Sequence, residues 1–296
     1  MRASVLIVSR NRREELLKTL NILHASLDPA LHEIRVFLDG CTDTSHELMG
    51  LMPRIKWETS EIPLGASKSR SILYKKALGK ILYGFDDDAH PLQENFIEIT
   101  EELFNQNPGV GIIGYKEIKG QLQSRSFSKE NVTAKKQNLL VKDFLGCGFA
   151  IKKSVYDSTR GFPEWIDIYG EEICLALEAL SAGYDIMFTH EVMVHHRKDM
   201  QSRKDSGANL FRFEKQLKNT FFFYLVYYPL PLMFKKLLKL YLHNFTKYAV
   251  RNPAYFRSFL SATVISALGI KDILRYRKPI NEKELKKFSQ LPNPDY

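Results

Sequence analysis

Cysteine is scarce in this chain. Its three residues, Cys41, Cys147 and Cys174, are odd in number, widely separated and never arranged as CxxC. Neither a disulfide framework nor a structural zinc site is encoded, and a reducing cytosol is the compartment that fits. Long apolar runs are missing as well. Val5-Leu6-Ile7-Val8 spans four residues before Arg10, Arg12 and Arg13, too short for the core of a signal peptide. The longest stretch without charge, Asn219 to Phe234, has 16 residues and contains Pro229 and Pro231, whereas a spanning helix needs about 20 apolar residues. A transmembrane segment is not expected; attachment to a membrane surface stays open.

Apolar residues fill 44% of the 296 positions, enough for a buried core in one large domain or two smaller ones, and too many for a disordered chain. The formal charge of +9 is unevenly placed. From Asp205 onward 16 Lys/Arg stand against 6 Asp/Glu, whereas residues 1–204 carry 27 against 28. The expected organisation is a near-neutral domain over 1–204 and a basic region over 205–296.

The first half alternates short β-branched runs with amphipathic stretches. Strands are expected at Ser4–Val8, Ile34–Leu38, Ile55–Thr59, Ile81–Phe85 and Val110–Gly114, with helices near Glu14–Leu27, Ser45–Leu51, Ala66–Ala77 and Glu94–Asn105. This pattern predicts an α/β fold, a mostly parallel sheet with helices on its faces. Ligands of such sheets bind where loops converge at the carboxyl ends of the strands.

Those loops hold Ser9-Arg10-Asn11-Arg12, Asp39-Gly40-Cys41-Thr42-Asp43 and Asp86-Asp87-Asp88-Ala89-His90-Pro91. Three adjacent carboxylates at the end of a buried strand repel one another unless a positive charge joins them. A divalent cation, Mg²⁺ or Mn²⁺, is the simplest candidate, because hard ions take carboxylate oxygens and bind substrate phosphates. A solvated acidic loop is the alternative. Pro63-Leu64-Gly65-Ala66-Ser67-Lys68-Ser69-Arg70 opens a helix after a glycine turn, and Lys68 and Arg70 near that N-terminus suit a diphosphate.

In this order the motifs resemble family 2 glycosyltransferases of the GT-A fold, rhamnosyltransferase-like or related polysaccharide-assembly enzymes. Val5 to Arg12 stands for the family's opening strand and Pro-Thr-x-Asn-Arg-like loop. Leu38 to Asp43 stands for its Asp-Gly-Ser-Thr-Asp, and Asp86-Asp87-Asp88 for its Asp-x-Asp element. Leu145-Gly146-Cys147-Gly148-Phe149-Ala150-Ile151 is similar to the acceptor-side segment, and Arg160-Gly161-Phe162-Pro163-Glu164 to its Gly-Gly-Phe-Asp-Glu turn. Tyr169-Gly170-Glu171-Glu172-Ile173-Cys174-Leu175 occupies the place of Gly-Glu-Asp-x-Asp-Leu, and Val194-His195-His196 ends the match, which covers roughly residues 3–200.

The resemblance implies a GT-A Rossmann-like domain and an inverting, metal-dependent transfer of a hexosyl group. The donor would be a UDP-, dTDP- or GDP-linked sugar, and the acceptor a hydroxyl of a glycan or lipid-linked carrier. Ser9, Asn11, Arg12, Asp39, Lys68, Arg70, Asp86 and Asp87 would meet the donor; Asp86 and Asp88 with His195 or His196 would hold the metal; Gly146, Gly148 and Glu171 would lie on the acceptor side. A carboxylate base takes the acceptor proton, and by position it is Glu172, with Glu171 as neighbour. Here the chain departs from the family: Glu172 replaces the usual Asp, and Cys174 the second one. An acidic pair at a helix N-terminus is the alternative reading of Glu171 and Glu172. Adjacent residues of a strand face opposite ways, so one histidine at most is a ligand. Arg160 replaces a usual glycine, and Ser71 stands where Asn is common. Two other functions compete, a sugar-nucleotide-binding protein without catalysis and a nucleotidyltransferase; the latter usually carries glycines after the first strand, and Ser9-Arg10-Asn11-Arg12 has none.

Beyond His196, Arg197 to Gly207 is a basic, polar stretch whose Arg197, Lys198, Arg203 and Lys204 are placed to meet phosphates or to serve as a solvated linker. The remainder is helical by pattern, with Phe221 to Tyr228 and Phe234 to Leu242 interleaving aromatic, leucine and lysine residues. An anionic membrane surface accounts for both the aromatics and the cations. Nucleic acid does not account for the leucines, and a packed helical subdomain or a homodimer surface leaves the charge unused. The expected location is cytoplasmic, peripheral on the inner face of the plasma membrane.

Overall fold

The computed structural model describes residues 1–120, 137–197 and 208–294. Lys198, Arg203 and Lys204, singled out above, lie outside them, as does the expected boundary at 204/205. The predicted elements form with their ends within three residues of those expected, except that the strand expected at Val110–Gly114 runs on to Lys119. β1 (Ala3–Ser9), α1 (Arg13–Ser26), β2 (His32–Asp39), a short α2 (Leu48–Leu51), β3 (Lys56–Ser60), α3 (Ala66–Lys75), β4 (Ile81–Asp86), β5 (Ala89–Pro91), α4 (Phe96–Gln106) and β6 (Val110–Lys119) follow one another. Then come β7 (Leu139–Val141), β8 (Gly148–Lys152), α5 (Lys153–Ser158), α6 (Glu171–Ser181) and β9 (Asp185–His196).

The sheet order is β3-β2-β1-β4-β8-β6-β9-β5, with β7 paired to β9. Strands β1 to β4, β6 and β9 run one way; β5, β7 and β8 run against them. β1 lies between β2 and β4, so the loops after these three strands meet at one edge. Side-chain alternation along β1 divides the interior: Val5 and Ile7 join the cluster under α1 and α4, whereas Leu6 joins the one that contains α3 and α6. β9 has a register irregularity where Tyr115 pairs with Thr189 and the next residue, Lys116, pairs with Met193. Its first half carries β7 and its last three residues carry β5.

The last third is helical: α7 (Ala208–Tyr227), α8 (Leu230–Lys247), α9 (Pro253–Leu274) and α10 (Glu282–Gln290). Pro229 and Pro231 start α8, where a missing N–H costs nothing. Asn252 caps α9 through Ala254 N at 2.8 Å, ahead of Pro253. The aromatic run of α7 is largely core. Phe222, Phe223, Tyr227 and Tyr228 are buried in the same cluster as Leu177 of α6 and Phe188 of β9, and Phe222 and Tyr227 pack on Trp165. Arg160, where the family usually has glycine, binds Glu178 Oε1 at 2.6 Å and the Tyr276 carbonyl at 2.7 Å, tying α6 to the tail. No helix among the described residues is long and apolar enough to cross a membrane.

Candidate functional site

Asp86, Asp87 and Asp88 end β4 and turn the chain into β5. Because β5 pairs antiparallel with the end of β9, in the register Ala89↔His196 and His90↔His195, the acidic turn folds back beside both histidines. Only one reaches it. His196 Nε2 lies 3.1 Å from Asp88 Oδ1 and 3.9 Å from Asp86 Oδ2. His195 faces the other way, with Nε2 2.6 Å from the Gly120 carbonyl and its ring edge-on to His90.

Asp86, Asp88 and His196 each bring a ligand atom within 4.8 Å of the others. Asp88 Oδ1 is buried, with His196 Nε2 3.1 Å away and no hydrogen bond accepted from the described residues. An orphaned buried carboxylate oxygen is costly, and two carboxylates with one imidazole suit Mn²⁺ or Mg²⁺. These residues therefore fit a divalent cation. On the far side of the ring, His196 Nδ1 lies 2.6 Å from Glu117 Oε1 on β6. That contact makes Nδ1 the donor to Glu117 and points Nε2 at the acids, the usual support of a metal-binding histidine. Burial opposes charge on His196, but Asp88, Cys147 and Glu117 outweigh it and raise the imidazole to about 11. The pocket thus demands a positive charge, a proton or a cation.

The loop after β1 serves the same acids. Arg12 donates to Asp87 Oδ1 at 2.8 Å and to Asp88 Oδ2 at 2.6 Å, and Ser9 Oγ donates to Asp87 Oδ2 at 2.7 Å. Burial pushes Asp87 up to about 7 against the pull of Arg12 and Ser9. Asp88 goes the other way: burial is outweighed by His196 and Arg12, which hold it far below the carboxylate range. Asn11 is spent on the neighbouring loop, where its Oδ1 accepts from Thr42 N at 2.7 Å. Asp39 lines the cleft, and its two oxygens accept from Leu64 N at 2.6 Å and Gly65 N at 3.0 Å.

The start of α3 differs from the expected diphosphate cradle. Gly65, with φ +90°, sits against the Asp167 backbone, and Ser67 N donates to the Asp167 carbonyl at 3.3 Å. Lys68 is not among the described residues that line the cleft; its charge acts on Glu164, which is held low mainly by Lys75. Arg70 is buried in a carboxylate cluster. Its Nη2 lies 2.9 Å from Asp86 Oδ1, and its Nη1 lies 3.1 Å from both Glu171 Oε1 and Glu172 Oε1. Burial pushes Glu171 well above the carboxylate range, with repulsion from Glu172 adding to it. Glu172 is the more open of the two, with a side chain 20% exposed against 4% for Glu171.

Gly146 makes room for this cluster, since a Cβ there would lie 2.3 Å from Glu172 Oε1 and 2.7 Å from Arg70 Nη2. Gly148 answers a packing need instead, against Val194. Cys174 is wholly buried on α6, bonded to the Gly170 carbonyl at 3.2 Å. Two acids escaped the sequence reading. Glu117 is the lone acid of β6, between Lys116 and Lys119 at the end of an apolar stretch, a signal that could have marked it. Asp143, pushed up to about 8 by burial and by Glu172, stands in no motif.

Most of these groups open into one cleft of about 1670 Å³. Asp86, Asp88 and His196 lie on the sheet side of it, Glu172 at the start of α6, and Arg212, Tyr224, Leu240 and Asn244 along the C-terminal helices.

The fold has solved relatives. The mannosyltransferase PcManGT from Pyrobaculum calidifontis, in complex with GDP-Man and Mn²⁺, is 15% identical with a TM-score of 0.58, over 97% of this chain and 83% of that one. S. aureus TarS 1-349 in complex with UDP-GlcNAc is 16% identical with a TM-score of 0.53, over 67% and 60%. GalNAc-T7 with UDP, GalNAc and Mn²⁺ is 16% identical with a TM-score of 0.54, over 66% and 43%. The chain thus spans 60% of TarS 1-349 and under half of GalNAc-T7. At such identities the likeness is one of fold, the GT-A arrangement. Comparison with curated proteins finds no match. The model of the family described as Glycosyl transferase family 2 matches residues 4–159, from β1 to just past α5. The match takes in the acidic turn and Arg70, stops short of Glu172 and His196, and covers more than half the chain, which therefore belongs to glycosyl transferase family 2.

Proposed function

We propose that the chain transfers a hexosyl group, with inversion, from a nucleoside-diphosphate sugar to a hydroxyl of a glycan or lipid-linked acceptor. One observation carries this reading: Asp86 belongs both to the Asp86–Asp88–His196 donor set and, through Arg70, to the cluster that contains Glu172. Asp86, Asp88 and His196 would hold Mn²⁺ or Mg²⁺, which when bound offsets the charge of the departing diphosphate. Arg12 and Ser9 keep Asp87 and Asp88 in place for that role. Glu172 accepts the hydroxyl proton as the acceptor oxygen bonds to the anomeric carbon. The bond from that carbon to the diphosphate oxygen breaks, and its electron pair leaves with the nucleoside diphosphate. Arg70 holds Glu172 in place through its 3.1 Å contact, and the missing side chain at Gly146 leaves room for that contact.

Asp39, on the β2 loop, lies on the nucleotide side. Arg70, locked among carboxylates, is placed as the organiser of the site rather than as an open phosphate contact. Basic helices beside the cleft support a place for the reaction at the cytoplasmic face of the plasma membrane, on anionic lipid.

The test has two parts. In a thermal-shift panel, UDP, dTDP or GDP with Mn²⁺ should stabilise the chain, by about 2.7 kcal/mol at one hundred times Kd; no response to any of them counts against the proposal. Sugar transfer or donor hydrolysis should then be lost in Asp88→Ala and Glu172→Gln. Nucleotide binding without turnover in the native chain would favour a sugar-nucleotide-binding protein.

A further inference from the structure

With the α7 aromatics in the core, the apolar surface lies elsewhere. On α8, Phe234, Leu238, Leu242 and Phe245 are 64%, 63%, 55% and 40% exposed. Their spacing of four, four and three residues draws one stripe along the helix. On α9, Leu260, Val264 and Leu268 recur every fourth residue at 47%, 56% and 78% exposure. The stripes approach each other where Phe245 packs on Phe259, with ring centroids 5.7 Å apart. No charged residue falls between Ser258 and Ile270, and Arg257 and Lys271 bracket that span.

The surrounding charge has one sign. From Leu230 to Arg275 the chain has eight Lys/Arg and one acid, Asp272. Lys235 and Lys239 are exposed and follow directly on Phe234 and Leu238, the flanking position from which a lysine stem reaches headgroups while its neighbour enters the apolar layer. A second copy docked through the same face would bring these cations against each other, whereas an anionic surface neutralises them.

We infer that the outer faces of α8 and α9 form a docking surface for an anionic lipid bilayer. The inference rests on the membrane placement proposed above and names the residues that make it. It also explains why α8 has two faces. Leu240 and Asn244 line the cleft while Phe234, Leu238 and Leu242 point outward, so docking brings the cleft to within about one helix diameter, roughly 10–12 Å, of the lipid surface.

The experiment is cosedimentation of the full chain with vesicles of phosphatidylglycerol and phosphatidylcholine, and with phosphatidylcholine alone. The native chain should pellet with the anionic vesicles and be released by salt. Leu238→Ser with Leu242→Ser, and separately Leu260→Ser with Val264→Ser, should each lower the partition about tenfold while leaving thermal unfolding and nucleotide-induced shifts unchanged. Lys235→Ser with Lys239→Ser should lower it on anionic vesicles only. Full binding by both apolar variants overturns this surface while leaving membrane placement intact. A native chain that stays in the supernatant overturns both. A native dimer that these variants turn into monomers, with no vesicle binding, makes the face a self-interface and overturns the inference.

Discussion

Asp86 and Glu172 share one buried guanidinium. Arg70 Nη2 lies 2.9 Å from Asp86 Oδ1, and Nη1 lies 3.1 Å from Glu172 Oε1. Asp86 ends a strand and Glu172 sits in the first turn of a helix, so one side chain of α3 sets the separation of two acids from distant parts of the chain. Burial works against the charge of Arg70, but Glu172, Asp86 and Glu171 outweigh it and raise its pKa further.

Removing that cation should be expensive. Arg70→Ala takes from Asp86 and Glu172 the buried cation they share, and the expected loss is about 3–5 kcal/mol in urea unfolding. Arg70→Lys keeps the charge but not the fork, so it should recover part of the stability with transfer still depressed. An Arg70→Ala chain as stable as the native one would refute the network.

Glu117 should act through His196. In Glu117→Gln the fold is retained but the imidazole loses its charged partner, and the affinity for Mn²⁺ measured by calorimetry should fall about 10–100-fold. Unchanged affinity would refute the support of His196 by Glu117. The same change at Glu191, an exposed acid on β9, serves as the control.

Gly146→Ala and Gly148→Ala should differ in kind. The new methyl at Gly146 meets Glu172 Oε1 and the Arg70 guanidinium, side-chain ends that can move, so kcat should drop more than stability. At Gly148 it meets Val194 Cγ2 at 2.5 Å inside the sheet, and overpacking of this sort costs about 1–3 kcal/mol. Denaturation and steady-state kinetics on both variants separate the two effects.

Acid should weaken the docking of α7. Asp167 takes Lys215 and Lys218 as partners, and although burial opposes its charge, the two lysines hold it at about 2. A depressed carboxylate stabilises the fold above its unfolded pKa, near 3.9, and loses that contribution as pH falls through the folded value. Asp167→Asn should therefore be less stable than the native chain at pH 7, with the gap closing between about pH 4 and pH 2. A gap independent of pH would assign the effect to packing.

The strands and their acidic loops were readable because period-two patterning and strand-end motifs are local: Ile81 to Phe85 is apolar and Asp86-Asp87-Asp88 follows in the chain. The aromatic run of α7 was misleading for the same reason. Composition registers that Phe222 and Tyr227 are apolar, but burial against Trp165 depends on a segment more than fifty residues away.

Local order along the chain thus settles the α/β class, the acidic turn, the Glu171–Glu172 pair and the basic tail. Long-range pairing settles which of them meet. The β5–β9 register turns His196, not His195, toward Asp88. The reach of Arg70 from α3 to the end of β4 and the first turn of α6 commits it to carboxylates, and the packing of α7 leaves α8 and α9 to carry the exposed apolar stripes. Each outcome depends on which residues neighbour one another in space, and no spacing along the chain specifies that.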